Sequence, residues 1–131
     1  MKDYSSYTEN QLSELLIGIC IEIHRELGPG LLESVYENAI TFELADLGLF
    51  FERQKKIPVY YKEREIGAGF RADFIIEQRL LIELKSIERL TDFDKKKTRN
   101  HLILTGLKLG LLINFNVPLL KNGIVRIVNN L

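Results

Sequence analysis

Phe70-Arg71-Ala72-Asp73-Phe74-Ile75-Ile76-Glu77-Gln78-Arg79-Leu80-Leu81-Ile82-Glu83-Leu84-Lys85-Ser86-Ile87 reads as two buried strands joined by a tight turn. Among the charges in these strands, Asp73, Glu83 and Lys85 interrupt the most apolar part of the sequence. Side chains alternate between the faces of a strand, so Glu83 and Lys85 point the same way, and Leu81 with them. A three-residue turn at Glu77-Gln78-Arg79 would set Asp73 directly opposite Glu83, with Cβ atoms about 5 Å apart. Two carboxylates so placed repel. A divalent cation between them removes the conflict, because hard ions such as Mg²⁺ take carboxylate oxygens and keep waters for chemistry.

An aspartate on one strand followed by Glu83-Leu84-Lys85 on the next resembles the motif of the PD-(D/E)XK nuclease superfamily. Upstream, Gly30-Leu31-Leu32-Glu33-Ser34-Val35-Tyr36 is similar to the signature of the GxxExxY proteins, a small prokaryotic branch of that superfamily. Ile57-Pro58-Val59, Arg71-Ala72-Asp73-Phe74 and Thr105-Gly106-Leu107-Lys108 resemble the same branch, and the likeness runs from about His24 to Ile127.

The bulk properties set bounds. A chain of 131 residues predicts one domain with a real core. Its 46% hydrophobic and 27% charged residues are those of an ordinary globular protein. Lys plus Arg equals Asp plus Glu, 18 against 18, so no global basic field points to nucleic acid, and any such binding must be local. The single cysteine, Cys20, excludes an internal disulfide and a Cys-rich zinc cluster, and its helical apolar neighbours predict a buried, inert thiol. No apolar stretch approaches the roughly 20 residues of a membrane span, and no signal-like start is visible, so the expected address is the cytoplasm.

Along the chain, Thr8-Glu9-Asn10-Gln11 has the form of a capping box, and Leu12, Leu15, Leu16, Ile19, Ile23 and Leu27 follow at helical spacing. Gly28-Pro29-Gly30 ends that helix. A second is expected from near Leu31 to Leu47, with Leu32, Tyr36, Ala39, Ile40, Leu44 and Leu47 on one face; Glu33 and Glu43 both fall inside that arc. Phe50 to Tyr61 reads as a strand, with Pro58 at an edge, and Lys62-Glu63-Arg64 as a turn into the next strand. Thr91 is placed to cap a third helix reaching Thr105, Leu109–Phe115 forms a buried strand, and Ile124–Val128 a last short one after a Lys121-Asn122-Gly123 turn. This order fits an α/β arrangement around one sheet. The resemblance implies a restriction-endonuclease-like core, a central mixed sheet of four to five strands flanked by helices.

The resemblance also implies the site. Asp73 and Glu83, with the backbone carbonyl of Leu84, would hold Mg²⁺ or Mn²⁺, and Glu33 would complete the acidic cluster directly or through a water. Lys85 would orient or deprotonate the attacking water, or stabilise charge on the phosphate. The expected partner is nucleic acid, with DNA as the substrate, and a homodimer or a specificity-giving partner protein fits a domain of this size. Where the family's Gln-x-x-x-Tyr is expected, this chain has Lys97-Thr98-Arg99-Asn100-His101. Lys97 could grip a phosphate and His101 stack on a base; Gln54-Lys55-Lys56 makes a second phosphate patch. His24, in His24-Arg25-Glu26-Leu27-Gly28-Pro29-Gly30, is expected to fix the helix end by a hydrogen bond.

Blander readings stand beside these. Glu83 and Lys85 would serve equally as a solvated ion-pair face, and Lys95-Lys96-Lys97 with Arg99 as a solvated helix face. A non-catalytic module that kept the acidic pocket, or a hydrolase of a smaller phosphorylated substrate, would carry much of the same sequence.

Overall fold

The computed structural model describes residues 2–131. Three α-helices and five strands follow in the order α1 (Glu9–Leu27), α2 (Glu33–Leu47), β1 (Phe51–Tyr61), β2 (Arg64–Ile76), β3 (Leu80–Lys85), α3 (Asp92–Thr105), β4 (Leu109–Asn114) and β5 (Ile124–Val128). A short 3₁₀ turn, Leu120–Gly123, stands where the sequence predicts a simple turn. The strands form one mixed sheet in the order β1-β2-β3-β4-β5, antiparallel except for the parallel pair β3 and β4 that α3 connects. The expected sheet of four to five strands flanked by helices is therefore present.

Each face of the sheet has its own core. Leu80, Ile82 and Leu84 of β3 and Leu109, Leu111 and Ile113 of β4 pack against Leu12, Leu16 and Cys20 of α1 and Tyr36, Ile40 and Leu44 of α2. Leu81, Leu112, Ile127 and Ala72 face the other way, onto Leu102 of α3. β3 and β4 are covered on both sides, which is why they read as unbroken apolar runs. Cys20 lies in the first core, fully buried, where desolvation pushes its thiol up to about 12.

The caps agree with the sequence. Thr8 and Gln11 form a reciprocal capping box on α1, and Thr91 and Asp94 form another on α3. Between β2 and β3 the loop has three residues, and the register Ile76↔Leu80, Ile75↔Leu81, Phe74↔Ile82 follows from it. The Arg79 guanidinium ties this turn to the N-terminal segment through the carbonyls of Tyr4 and Tyr7.

One helix departs from expectation. α2 begins at Glu33, not near Leu31, and its N-cap residue, Leu32, has no capping side chain. Leu32 thus precedes the helical stripe and is 75% exposed rather than part of the apolar face. What fixes the start is the turn before it. Gly28 and Gly30 hold φ of 71° and 90°, values that side-chain-bearing residues resist. Tyr36 locks the turn from below: its hydroxyl donates to the Gly28 carbonyl at 2.6 Å and accepts from the Leu31 amide at 3.2 Å. Its ring stacks on Phe115 at 4.3 Å between centroids. His24 donates from Nε2 to the Val117 carbonyl at 2.8 Å, so it braces the end of α1 against the segment after β4.

On the far side, Asn114 is buried and holds the chain leaving β3: its Oδ1 accepts from the Ile87 and Asn116 amides and its Nδ2 donates to the Ile87 carbonyl. Gly123 packs directly on the Asn114 backbone, where a Cβ would fall inside the shell of the Asn114 carbonyl oxygen. Gly123→Ala is expected to destabilise the protein by about 1–3 kcal/mol through this overpacking, measured as a lower urea midpoint at unchanged m-value.

Candidate functional site

β2 and β3 part company just beyond the Phe74↔Ile82 pair. The register leads to Asp73 opposite Glu83, and at that point the ladder gives way to a side chain: the Leu84 amide donates to Asp73 Oδ2 at 2.8 Å. Asp73 Oδ1 accepts from the Gln54 side-chain amide at 3.0 Å, and the same nitrogen donates to Glu37 Oε1 at 2.8 Å. Gln54 holds φ of 53°, a local break in β1 that turns its side chain into this cluster. Glu37, from α2, is buried and paired with the Arg53 guanidinium at 2.8 Å.

Glu83 is buried to 6% exposure on the α3 side. His101 Nδ1 lies 2.6 Å from its Oε1, and the His101 ring stacks on Phe70 at 3.8 Å with 6° between planes. The Thr98 hydroxyl is 3.2 Å from Glu83 Oε2 but 2.9 Å from the Asp94 carbonyl. Its single proton serves one of them at a time, so Oε2 is the less firmly held oxygen.

The carboxyls in this region are held above their usual range. Burial raises Asp73 most, with Glu37 adding to it, against the Leu84 amide, Gln54 and Lys85. Burial also leads for Glu83, opposed by His101 and Thr98. Glu33 is exposed as a residue, yet partial desolvation of its carboxyl and the charge of Asp73 raise it, while Lys85 lowers it. Asp73, Glu33 and Lys85 therefore feel one another. Lys85 makes no ion pair among the described residues.

Of the residues singled out from the sequence, Asp73 and Glu83 come to adjacent strands, with Glu33 and Lys85 in electrostatic reach. Glu33 does not lie in the buried arc as expected; the late start of α2 leaves it on the exposed first turn, while the buried acid is Glu37, one turn on. His101 was expected to offer a face to a base; Phe70 already occupies its stack, and its polar atom is spent on Glu83. Lys97 is half-buried on α3. Lys55 pairs with Glu52 at 2.7 Å, whereas Lys56 stands exposed. Sequence reasoning missed Glu37 and Thr98, and it placed Gln54 in a phosphate patch with Lys55 and Lys56, where the structure turns it onto Asp73 and Glu37. The first was legible: Glu37, Ile40 and Leu44 share a stripe at i, i+3, i+7.

A family model of the PD-(D/E)XK nuclease superfamily matches residues 10–127. The chain belongs to that superfamily. Comparison with curated proteins and with solved structures returns no match. Members of this superfamily generally use divalent metals, and the donor chemistry here suits one: Asp73, Glu83 and Glu33 present only oxygen, and burial makes ionising them costly unless a cation compensates. Among the described residues, no three His, Cys, Asp or Glu side chains are gathered tightly enough to form a ready cation site.

The raised carboxyls have a thermodynamic consequence. Between the ordinary aspartate value of 3.8 and the raised value of Asp73, the folded chain binds more protons than the unfolded one, so the Asp73 contribution to stability falls as pH rises through that window. In the absence of metal, Asp73→Asn is expected to melt above the wild type at pH 7, with the gap shrinking as pH is lowered toward 4. Calorimetric scans of both proteins in EDTA across that range measure it.

Proposed function

We propose that this protein is a divalent-metal-dependent nuclease of the GxxExxY kind that hydrolyses phosphodiester bonds in DNA. The observation that carries the reading is the placement of Asp73, Glu83 and Lys85 on the two strands that part at β2 and β3, in a chain of the PD-(D/E)XK superfamily, with Glu33 electrostatically coupled to Asp73 and Lys85 from the start of α2. Bound Mg²⁺ or Mn²⁺ would neutralise phosphate charge and make a water more acidic. Asp73, Glu83, the Leu84 carbonyl and Glu33 are the groups to hold it. Lys85, free of an ion-pair partner among the described residues, orients or deprotonates the attacking water or stabilises charge on the phosphate. Gln54 and the Leu84 amide keep Asp73 from swinging away, and His101 keeps Glu83 in place.

A second reading rests on its own observation. Each oxygen of Asp73 and Glu83 already has a protein donor within hydrogen-bond distance, which is the arrangement of a binding module that kept the pocket and lost turnover.

Two measurements separate them. Wild-type protein with Mn²⁺ is expected to nick plasmid DNA, and Asp73→Ala and Lys85→Ala to lower the rate by about 100-fold or more. In thermal melts, Mn²⁺ at about 100 times its Kd is expected to add about 2.7 kcal/mol of stability, and Asp73→Ala to abolish the gain. Stabilisation without cleavage selects the binding module. Neither cleavage nor stabilisation sinks both.

A further inference from the structure

β2 is 13 residues long, yet only Phe74, Ile75 and Ile76 pair with β3. The rest of β2 pairs with β1 alone, out to Tyr61↔Arg64, so the sheet continues past the site as a two-stranded arm. At the base of this arm, Ile57, Phe70 and Ala72 pack on Leu102, and Phe70 stacks on His101. Side chains alternate across a strand, so Lys56 and Arg71, the neighbours of Ile57 and Phe70, project to the opposite face. Among the described residues, the side-chain hydrogen bonds between α2 and β1 are made at Arg53 and Gln54, short of Lys56, and both Lys56 and Arg71 are exposed.

Lys56 and Arg71 are direct cross-strand partners. Their Cβ atoms stand about 5 Å apart, a like-charge pairing that is unfavourable by itself. Both are exposed, and neither has an ion-pair partner within 4.0 Å among the described residues. Lys55, one position away on the other face, is by contrast neutralised by Glu52.

Position adds direction. Arg71 is two residues from Asp73 on one strand, and Lys56 two from Gln54 on the other, with Gln54 bonded to Asp73. Two residues of strand span about 6.6 Å, comparable to the step between consecutive phosphates of an extended nucleic-acid strand. Farther out on the same face, Tyr60 is 64% exposed, whereas Tyr61 turns to the other face with the Lys62 ammonium over its ring. At the tip, Glu63 and Glu65 balance Lys62 and Arg64, so the net positive charge of the arm lies at its base.

We propose that the open face of the β1/β2 arm grips a single DNA strand, Lys56 and Arg71 straddling the phosphate next to the one at Asp73 and Tyr60 at the tip stacking on an unpaired base. The inference rests on the nuclease reading for its substrate class. Stacking on the exposed Tyr60 ring requires an unpaired base, which is why a single strand rather than a duplex is the occupant.

The test is fluorescence anisotropy of a 5′-labelled single-stranded oligodeoxynucleotide, in EDTA, with the full chain. Lys56→Glu/Arg71→Glu is expected to weaken binding at least tenfold, and the milder Lys56→Ala/Arg71→Ala pair to lower the slope of log K against log salt by about 1.4. Lys95→Glu/Lys96→Glu, the same charge change on exposed positions of α3, should alter Kd less than twofold; melting curves confirm that all variants are folded. Equal losses in arm and α3 variants, no loss in either, tighter binding to duplex than to single strand, or no binding by the wild type would each overturn the proposal. Cleavage assays with Mn²⁺ keep the two readings apart. A wild type that cleaves while the arm variants bind and cleave like it leaves the nuclease standing and removes the arm; a wild type that never cleaves but whose binding the arm variants abolish does the reverse.

Discussion

The arrangement of the candidate site follows from a single hydrogen bond, that of the Leu84 amide to Asp73 Oδ2. Two antiparallel strands that diverge leave amides without partners, and an orphaned buried amide is costly. Here the carboxylate at the fork takes over the missing ladder bond. β2 is thereby released to follow β1 outward, while β3 stays inside the sheet beside β4. An acid that caps a strand fork must be desolvated to do so, and its raised pKa is the direct result. Structural and chemical demands on Asp73 thus meet in one group.

Polar braces spread from that point on both sides of the sheet. Toward α2, Gln54 links Asp73 to Glu37, which Arg53 partly neutralises. α2 itself carries Glu33, Glu37, Glu43 and Asp46 and no lysine or arginine, so the helix contributes negative potential only. Toward α3, His101 clamps Glu83 and is itself pressed against Phe70. Lys85 is the cation left unclamped in the middle. The overall charge balance of the chain conceals this: neutrality is reached by segregation, with acids along α2 and bases along α3 and the arm.

Much of this was legible in the sequence because it is local. Capping boxes are four-residue patterns, so Thr8 and Thr91 announced their helices. The three-residue loop set the β2/β3 register, and with it the neighbourhood of Asp73 and Glu83. What could not be read depends on contacts distant in the chain. The start of α2 is fixed by the Tyr36 hydroxyl on the glycine turn and by the Phe115 ring beneath it, partners that periodicity cannot see. Gln54 enters the cluster only because β1 breaks its conformation there, and nothing in a polar residue between charged neighbours signals a positive φ. His101 looked available because the sequence gives its helix position but not the aromatic ring that a strand thirty residues earlier would lay against it.

The parallel pairing of β3 with β4 bears on the order in which the protein is assembled. The β2/β3 hairpin closes through a short turn and can form within microseconds, but β4 joins β3 only after the intervening segment has crossed the sheet as α3, a non-local event of the slower kind. Glu83 acquires His101 and Thr98 at that same late step. A growing chain that has emerged only as far as β3 therefore holds the acidic residues without their support from α3, and the complete constellation comes into being together with the native sheet.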